Sequence, residues 1–436
     1  MSLSLSLKPK GPLPPEQMFS LQVGTKLFQI SGYSLNSDSP NLFTQYFSEN
    51  DASSTLFIDR SPQVFNLIVD HLRGYTVNIQ DETQFTFCFL DAVYFRLPRL
   101  QDLLKNSDYY YVCVGGRHFK LPKTLVSQTG NFPNYFEMTC SSLFDDVQAI
   151  YQTMNLARPP PQSPPYVNRS PEFFADLIGI LRGGVLDLTP ERRKSLIQEC
   201  RYYRFLRLEQ QLVPCQVKWN PILQVEEIVI NLSDIKAKFV SLPQPEVSSP
   251  SADEPTAKKR RLAANCDWES VKYRRPFVDA DITFARELIF QIANLEATLF
   301  FIKNSKTIHV AISGQTLSKF KMVFQRLLKE HNIEISTYMK RGSILVLPAC
   351  LSLCSLQVNS VPCRNVSAMV EELQLTDQVL DFNNPSIIPQ LVPGLKLDLT
   401  KSLWKLGVSE KKIMMIAVKA DAVSGLKEYH KTLEYI

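Results

Sequence analysis

Glycine is scarce in this chain, 15 of 436 residues, and nowhere forms a phosphate-cradling loop ending in Gly-Lys-Ser or Gly-Lys-Thr, a G-x-G-x-x-G turn or a nucleophile elbow. Close backbone approach to a nucleotide is therefore poorly served. An H-E-x-x-H pair is missing too. Without a local catalytic signature the chain reads as non-enzymatic, and no cofactor is expected. Cysteine is sparse and odd in number, nine residues, unlike the dense paired framework of a small secreted domain, which points to a reducing compartment. Cys350, Cys354 and Cys363 cluster, but without C-x-x-C spacing and with His331 as the nearest histidine. Buried free thiols are expected there in preference to zinc. Long apolar runs are lacking: Ile344 to Leu356 is broken by Pro348 and by several Ser and Cys, and falls short of the roughly 18 residues a membrane span requires. The N-terminal MSLSLSLKPKGPLPPEQ holds no continuous apolar core of about 7 residues, so no signal peptide is read. A soluble protein of the nucleus, the cytoplasm or both is expected, without membrane contact. Charge of one sign is also lacking: 48 Lys and Arg stand against 43 Asp and Glu, net +5, too mild over this length to imply nucleic-acid binding.

What is present is the balance of a chain that folds, 44 % hydrophobic and 21 % charged. At about 150 residues per domain the length suggests roughly three domains. Two of them are copies. Ser61 to Gly74, SPQVFNLIVDHLRG, and Ser170 to Gly184, SPEFFADLIGILRGG, share a Ser-Pro start and a glycine stop. Ser suits the N-cap and Pro the first helical position, while Gly accepts the left-handed turn that ends a helix. Arg73 and Arg182, just before Gly74 and Gly183, complement the helix dipole. Between these marks Phe65, Ile68, Val69 and Leu72 form one stripe, which Phe174, Leu177, Ile178 and Leu181 repeat residue for residue. Each helix therefore buries one face.

Residues 1–17 read as a disordered start. Phe19 to Val23 and Lys26 to Ile30 around Gly24 read as a hairpin, Thr55 to Asp59 as a third strand, Pro62 to Arg73 as the capped helix and Val77 to Ile79 as a short strand. Helices are predicted at Glu82 to Phe95 and Leu97 to Leu104. The second copy opens with Tyr110 to Val114 and Arg117 to Leu121 around Gly115 and Gly116, and carries an insertion before its helix that includes RPPPQSPP, Arg158 to Pro165. Proline this dense predicts an extended, solvated surface loop, of the kind a proline-reading module binds. After the helix, Asp91-Ala92 with Tyr94-Phe95 is matched by Glu199-Cys200 with Tyr202-Tyr203.

With Val23-Gly24, Asp59-Arg60-Ser61-Pro62, Phe65, Leu72-Arg73-Gly74 and Asp91-Ala92 before paired aromatics, the first copy resembles the BTB/POZ domain of the potassium-channel-tetramerisation type. The second keeps Val114-Gly115-Gly116, Phe119, Thr124-Leu125, Arg169-Ser170-Pro171, Phe174 and Leu181-Arg182-Gly183-Gly184, but has Asn168 where the family usually has Asp; the first has Thr25 in place of the second glycine. The resemblance covers about Phe19 to Val213. It implies units that bind copies of themselves or other proteins. No pore segment follows, so a channel is not implied; soluble relatives build oligomeric adaptors, some of which present substrates to cullin-based ubiquitin ligases. Some relatives bind zinc between subunits with a His and a Cys cluster, but the paired cysteines are missing from both copies and no metal is carried over. Arg60 and Arg169 are either buried ion-pair partners or solvated side chains. His71, in the first helix, reads as a partly exposed surface histidine.

From Val217 onward the resemblance stops. Val225 to Leu232 reads as a strand and Leu242 to Asn265 as a linker. Within the linker stand Lys258, Lys259, Arg260 and Arg261, the form of block a nuclear import receptor reads; a solvated charge run is the alternative. Ile282 to Leu295 is predicted helical, Thr298 to Ile302 and Thr307 to Ile312 as strands, and Leu317 to Glu330 as an amphipathic helix with Phe320, Val323, Phe324 and Leu327 on its apolar stripe. Lys319, Lys321, Arg326 and Lys329 are read as its wet side. Strands at Glu334 to Tyr338 and Ser343 to Leu347, less regular chain, and a helical end at Ala422 to Leu433 complete the reading.

The expected fold class is α+β: two tandem BTB/POZ domains, residues 18–106 and 107–216, then an α+β C-terminal domain, 217–436, interrupted by the linker near 242–265. The expected function is a scaffold or adaptor that oligomerises or binds partners through the BTB units. Narrower readings are a substrate adaptor of a cullin-based ligase and a nuclear transcription-associated cofactor.

Overall fold

The structure, a computed structural model, describes residues 12–51, 53–153, 163–243, 268–302, 307–363, 394–409, 411–425, 429–431 and 433. Helices and strands build an α+β fold in two compact units, Met1–Leu212 and Val213–Ile436. Among the described residues no helix is long and apolar enough to cross a membrane.

The first unit contains one element order twice. Its first half runs β1 Met18–Val23, β2 Lys26–Ser31, α1 Gly32–Asn36, α2 Leu42–Glu49, β3 Thr55–Ile58, α3 Pro62–Leu72, α4 Glu82–Tyr94 and α5 Pro98–Lys105. The second runs β4 Tyr109–Val114, β5 Arg117–Pro122, α6 Lys123–Val126, α7 Tyr135–Thr153, β6 Tyr166–Val167, α8 Pro171–Leu181, α9 Pro190–Tyr203 and α10 Leu206–Leu212. In each half a hairpin takes a third strand parallel to its first, in the orders β2-β1-β3 and β5-β4-β6. The third strand feeds the Ser-Pro helix with almost the same entry, Ser61 at φ −67°, ψ 121° and Ser170 at φ −67°, ψ 122°. Only Ser170 caps through its side chain, accepting from the Phe173 amide while donating to Glu172; Gln63 stands at the equivalent position in the first copy and Ser61 makes no such bond. Both helices end at a left-handed glycine, Gly74 and Gly183.

Two secondary-structure readings of this unit change. Val77 to Ile79 is not a strand: Ile79 is buried and Val77 packs on the core without a ladder partner. The insertion of the second copy holds more than a loop. Where the first half has the short α2, the second has the 19-residue α7, whose Phe136, Leu143 and Val147 are buried on one helical face. Most of RPPPQSPP lies outside the described residues; the Pro165 carbonyl accepts from the Cys113 amide.

The second unit is a large mixed sheet with one long helix. Its strands are β7 Cys215–Asn220, β8 Val225–Asn231, β9 Val240–Ser241, β10 Glu269–Ser270, β11 Lys272–Arg274, β12 Ala285–Ile292, β13 Ala297–Ile302, β14 Thr307–Ile312, β15 Met339–Lys340, β16 Ile344–Cys350, β17 Ser355–Val358, β18 Val361–Pro362, β19 Gly394–Ser409 and β20 Lys412–Val423. Because β20 pairs with both β16 and β19, the path β16-β14-β13-β19-β20 closes on itself into a five-stranded barrel, which removes the exposed edges of those strands. Helix α11, Gly314–Glu330, lays Phe320 and Phe324 against Phe290 of β12.

The predicted helix at Ile282 to Leu295 is strand β12 instead. Leu288, Ile289, Phe290 and Ile292 are all buried because β12 is flanked by β8 and β19 and covered by α11; a short run apolar on both faces does not separate helix from strand by periodicity. Glu334 to Tyr338 contains a 3-10 turn, Ile335–Tyr338, and the expected helical end begins as strand, Ala422 and Val423 belonging to β20, with only Tyr429 and His430 helical among its described residues.

The barrel wall carries a buried charge group. Lys405 of β19 is only 8 % exposed, and its Nζ donates to Glu227 of β8 and Glu287 of β12, both at 2.6 Å. Burial alone would depress the ammonium, but the two carboxylates outweigh it and hold the group above its ordinary value. Glu227 and Glu287 face each other across paired strands, so removing the lysine leaves two half-buried like charges. Lys405→Met is expected to lower stability by about 3 kcal/mol, read as a fall in the urea midpoint of the second unit. Glu287→Gln in the same variant is expected to recover part of the loss.

Candidate functional site

The repeated motif residues hold the first unit together. Val23 and Val114 are fully buried in their strands, and Phe65 and Phe174 are fully buried on their helices. Gly24 and Gly115 sit at positive φ in the hairpin turns, each donating its amide to the third strand, to Ile58 and Val167 respectively at 2.9 Å. Gly116 also has positive φ. The two arginines resolve toward the ion-pair reading. Arg60 donates to Asp91 of α4, with Nε to Oδ1 at 2.8 Å, and Arg169 reaches Glu199 of α9 at 3.4 Å while stacking over Tyr202 at 4.2 Å. Burial raises both carboxyls against the pull of their arginines. Asp59 and Asn168, where the copies differ, are both exposed.

His71 is not a surface histidine. Its Nε2 lies 2.8 Å from Oδ2 of buried Asp38, whose two oxygens also accept from the Arg99 and Leu100 amides at the start of α5. Burial would raise that carboxyl, yet these partners together hold it below its ordinary range.

The outer faces of the two sheets, by contrast, differ in use. Alternation along β1 and β2 turns Phe19, Leu21, Val23, Phe28 and Ile30 inward. The opposite face includes a cross-strand row, Leu27, Gln22 and Phe57, set by the pairings Gln22 with Leu27 and Gln22 with Phe57. Leu27 is 53 % exposed and Phe57 76 %. The same row in the second repeat is His118, Cys113 and Tyr166, set by the pairings Cys113 with His118 and Cys113 with Tyr166.

The first repeat covers the neighbouring row, Tyr111 and Lys120, and touches this one only at its edge: Tyr166 stays 59 % exposed and the His118 side chain 59 %. Phe85 of α4 stacks on Tyr111 with ring centroids 5.1 Å apart, Lys120 donates to the Ile79 carbonyl, and Glu82 meets the His118 ring at 3.0 Å. Helix α7 completes the joint: Phe144 packs on Phe89 at 4.7 Å, whereas Phe136, earlier on the same helix, packs on Phe174 and Tyr203 in its own repeat. Tyr111, Leu143 and Val147 thus belong to the core of the first repeat. The helical side of one repeat sits on the sheet side of the other, a head-to-tail contact that uses each face once. The row Leu27, Gln22, Phe57 is left open. The bonded hydrogen on His118 is favoured by Glu82, which raises the ring above its ordinary value, and Cys113 is raised by burial and by the same carboxylate.

Sequence reasoning alone did not single out these rows. Alternation marks Gln22 and Cys113 as outward, but only the pairing register brings His118 and Tyr166 beside Cys113.

In the second unit a cavity of about 450 Å³ is lined by Asn231, Gln291, Asn294, Thr316, Lys319 and Met322, among others. Glu296 already occupies the N-terminus of α11, accepting from the Gln315 and Thr316 amides at 3.1 and 2.7 Å. The wet side of that helix includes an Arg326–Glu330 pair at 2.9 Å. Cys350, Cys354 and Cys363 are half-buried. Lys258, Lys259, Arg260 and Arg261 lie outside the described residues.

Two Saccharomyces cerevisiae proteins are similar along nearly the whole chain. The uncharacterised protein YDR132C is 39 % identical over 477 residues, covering 97 % of this chain and 96 % of its own length. BTB/POZ domain-containing protein YLR108C is 37 % identical over 468 residues, again covering 97 % and 96 %. A family model described as the YLR108C C-terminal domain matches residues 225–433.

Proposed function

This chain belongs to the family of the yeast BTB/POZ domain-containing protein YLR108C, and we propose that it is a non-enzymatic interaction scaffold whose two front repeats are tandem BTB/POZ units and whose first sheet face assembles copies of the chain. The observation that supports the reading most directly is the apolar row on the outer face of the first sheet, Leu27 and Phe57 flanking Gln22. In that row Leu27 is 53 % and Phe57 76 % exposed to solvent, both large and apolar. A sheet face with two large exposed apolar side chains in one row is a surface that gains by being covered.

The open face does not accept a copy of the joint already made inside the chain. Helix α9 occupies in the second repeat the place α4 has in the first, but it carries Arg193 where α4 carries Phe85, so it lacks the aromatic that seats the internal contact. Pairing of the open face with the same face of a second chain is self-complementary and closes at two copies.

Burying a Phe or Leu side chain is worth roughly 2 kcal/mol, and each is buried twice in a two-fold contact. Phe57→Arg is therefore expected to weaken association at least about tenfold. Light scattering on the full chain is expected to give twice the chain mass for the wild type and the single mass for the variant, with unchanged circular dichroism. A wild-type chain that stays monomeric at its highest soluble concentration overturns the assembly reading.

A further inference from the structure

The joint between the two repeats holds more than packing. Glu82 of α4, Cys113 of β4 and His118 of β5 each bring one donor atom to a common point, all within 4.8 Å of one another. The histidine Nδ1 lies 3.1 and 3.0 Å from the two carboxylate oxygens. Glu82 and Cys113 are buried, whereas the His118 side chain is 59 % exposed. A buried carboxylate beside a buried thiol is a costly pair as it stands, because ionising either opposes ionising the other. A divalent cation between them reverses that: it takes the thiolate, the carboxylate and the imidazole as ligands and cancels the charge they would otherwise bury.

We propose that Glu82, Cys113 and His118 form a zinc site that fastens the first repeat to the second, with the fourth coordination position open to water on the His118 side. The donor set selects the metal. One sulfur, one imidazole nitrogen and one carboxylate oxygen suit a tetrahedral borderline-soft ion, and an all-oxygen cation such as magnesium or calcium has no use for the thiolate. Placement gives the site its consequence. Glu82 comes from one repeat and the other two ligands come from the other, so binding requires the joint to be formed and stabilises it in return. The equivalent row of the first repeat carries Leu27, Gln22 and Phe57 and offers no such set. This site does not rest on the assembly reading above, which uses that other row.

The test uses the full chain stripped with a chelator and titrated with zinc chloride, or with cobalt chloride for its spectrum. One equivalent of zinc is expected, with cobalt showing the intense visible absorption of a tetrahedral site and a thiolate charge-transfer band. Losing an outer-shell partner already weakens metal sites by about 10–100-fold, so Cys113→Ser and His118→Ala are each expected to weaken zinc by at least about 100-fold and to abolish or shift the cobalt bands. His118 is exposed and Ser is close to isosteric with Cys, so both variants are expected to fold, which circular dichroism checks. Thermal unfolding of the wild type is expected to rise with added zinc, and that of either variant is not. The triple variant Cys350→Ser, Cys354→Ser, Cys363→Ser is expected to keep the equivalent. Absence of a zinc equivalent in the wild type, or its retention in both joint variants, overturns the proposal, as does its loss in the triple variant alone.

Discussion

Gly115→Ala is expected to destabilise the first unit by about 3 kcal/mol or more, and the matching Gly24→Ala by about half of that. Both glycines have the left-handed backbone of the hairpin turn, φ +54° and +52°, so both pay the strain of an L side chain there. The difference lies in what a Cβ would meet. At Gly115 it would lie 2.4 Å from the Arg169 carbonyl oxygen and 2.7 Å from Cδ of Pro171; at Gly24 the corresponding distances to Arg60 and Pro62 are 3.2 and 3.6 Å. The oxygen belongs to the backbone and the proline ring opens α8, so neither yields as a flexible side chain would. Relief at Gly115 requires the hairpin to draw away from the strand-to-helix corner, and that loosens the Gly115 to Val167 hydrogen bond and the third strand with it. Thermal unfolding of the full-length variants measures the two costs, and hydrogen exchange of β4 and β5 against β1 and β2 shows where the loss falls. Equal costs for the two glycines would mean that the closer approach in the second repeat carries no energy.

The same pair of turns shows why the first unit was legible and the second less so. Glycine at a left-handed turn, Ser-Pro at a helix start and a stripe of Phe, Leu and Ile are local signals, each set by a few neighbouring residues, and two copies of each reinforce one another. The ion pairs were half legible: Asp91 and Glu199 stand at matching places after their helices, but only the packing of α4 and α9 against the strand-to-helix corners turns Arg60 and Arg169 onto them. In the second unit the barrel is closed by pairings between distant segments, and β12 is buried on both faces, so its residues lose the alternation that identifies a half-exposed strand. Strand β19, in contrast, alternates Leu395, Leu397 and Leu399 with Lys396 and Asp398, a period of two that is present in the sequence and weakened only by the small and charged residues interspersed along its partner β20. The cluster of Glu82, Cys113 and His118 was out of reach for a different reason. Its residues belong to two repeats, and no spacing rule anticipates a joint that one duplicated unit makes with the other.

Arg60→Met is expected to cost about 3 kcal/mol, and Arg169→Met about 1 kcal/mol or less. The carboxylate each arginine answers sets the order. Asp91 has a side chain only 2 % exposed and Arg60 one 25 % exposed, whereas the Arg169 side chain is 42 % exposed and its contact with Glu199 is 3.4 Å. Removing Arg60 leaves a buried aspartate without its cation, and breaking such a pair costs more than the pair itself was worth. Water screens the second pair, and its arginine is partly held by Tyr202. The two losses also differ in their dependence on pH. Burial already raises the Asp91 carboxyl against the lowering effect of Arg60; without that cation the folded-state value rises further above the unfolded one. A carboxyl raised in this way favours folding below its unfolded value of about 3.9 and loses that contribution as pH climbs through the folded value. The gap in unfolding free energy between wild type and Arg60→Met is therefore expected to be small near pH 4 and to widen toward pH 7, as measured by urea titration at several pH values. Adding Asp91→Asn to Arg60→Met is expected to flatten that dependence, because the group that titrates is gone. A gap that stays constant with pH in Arg60→Met would assign the loss to the aliphatic packing of the arginine stem and not to the carboxylate it leaves behind.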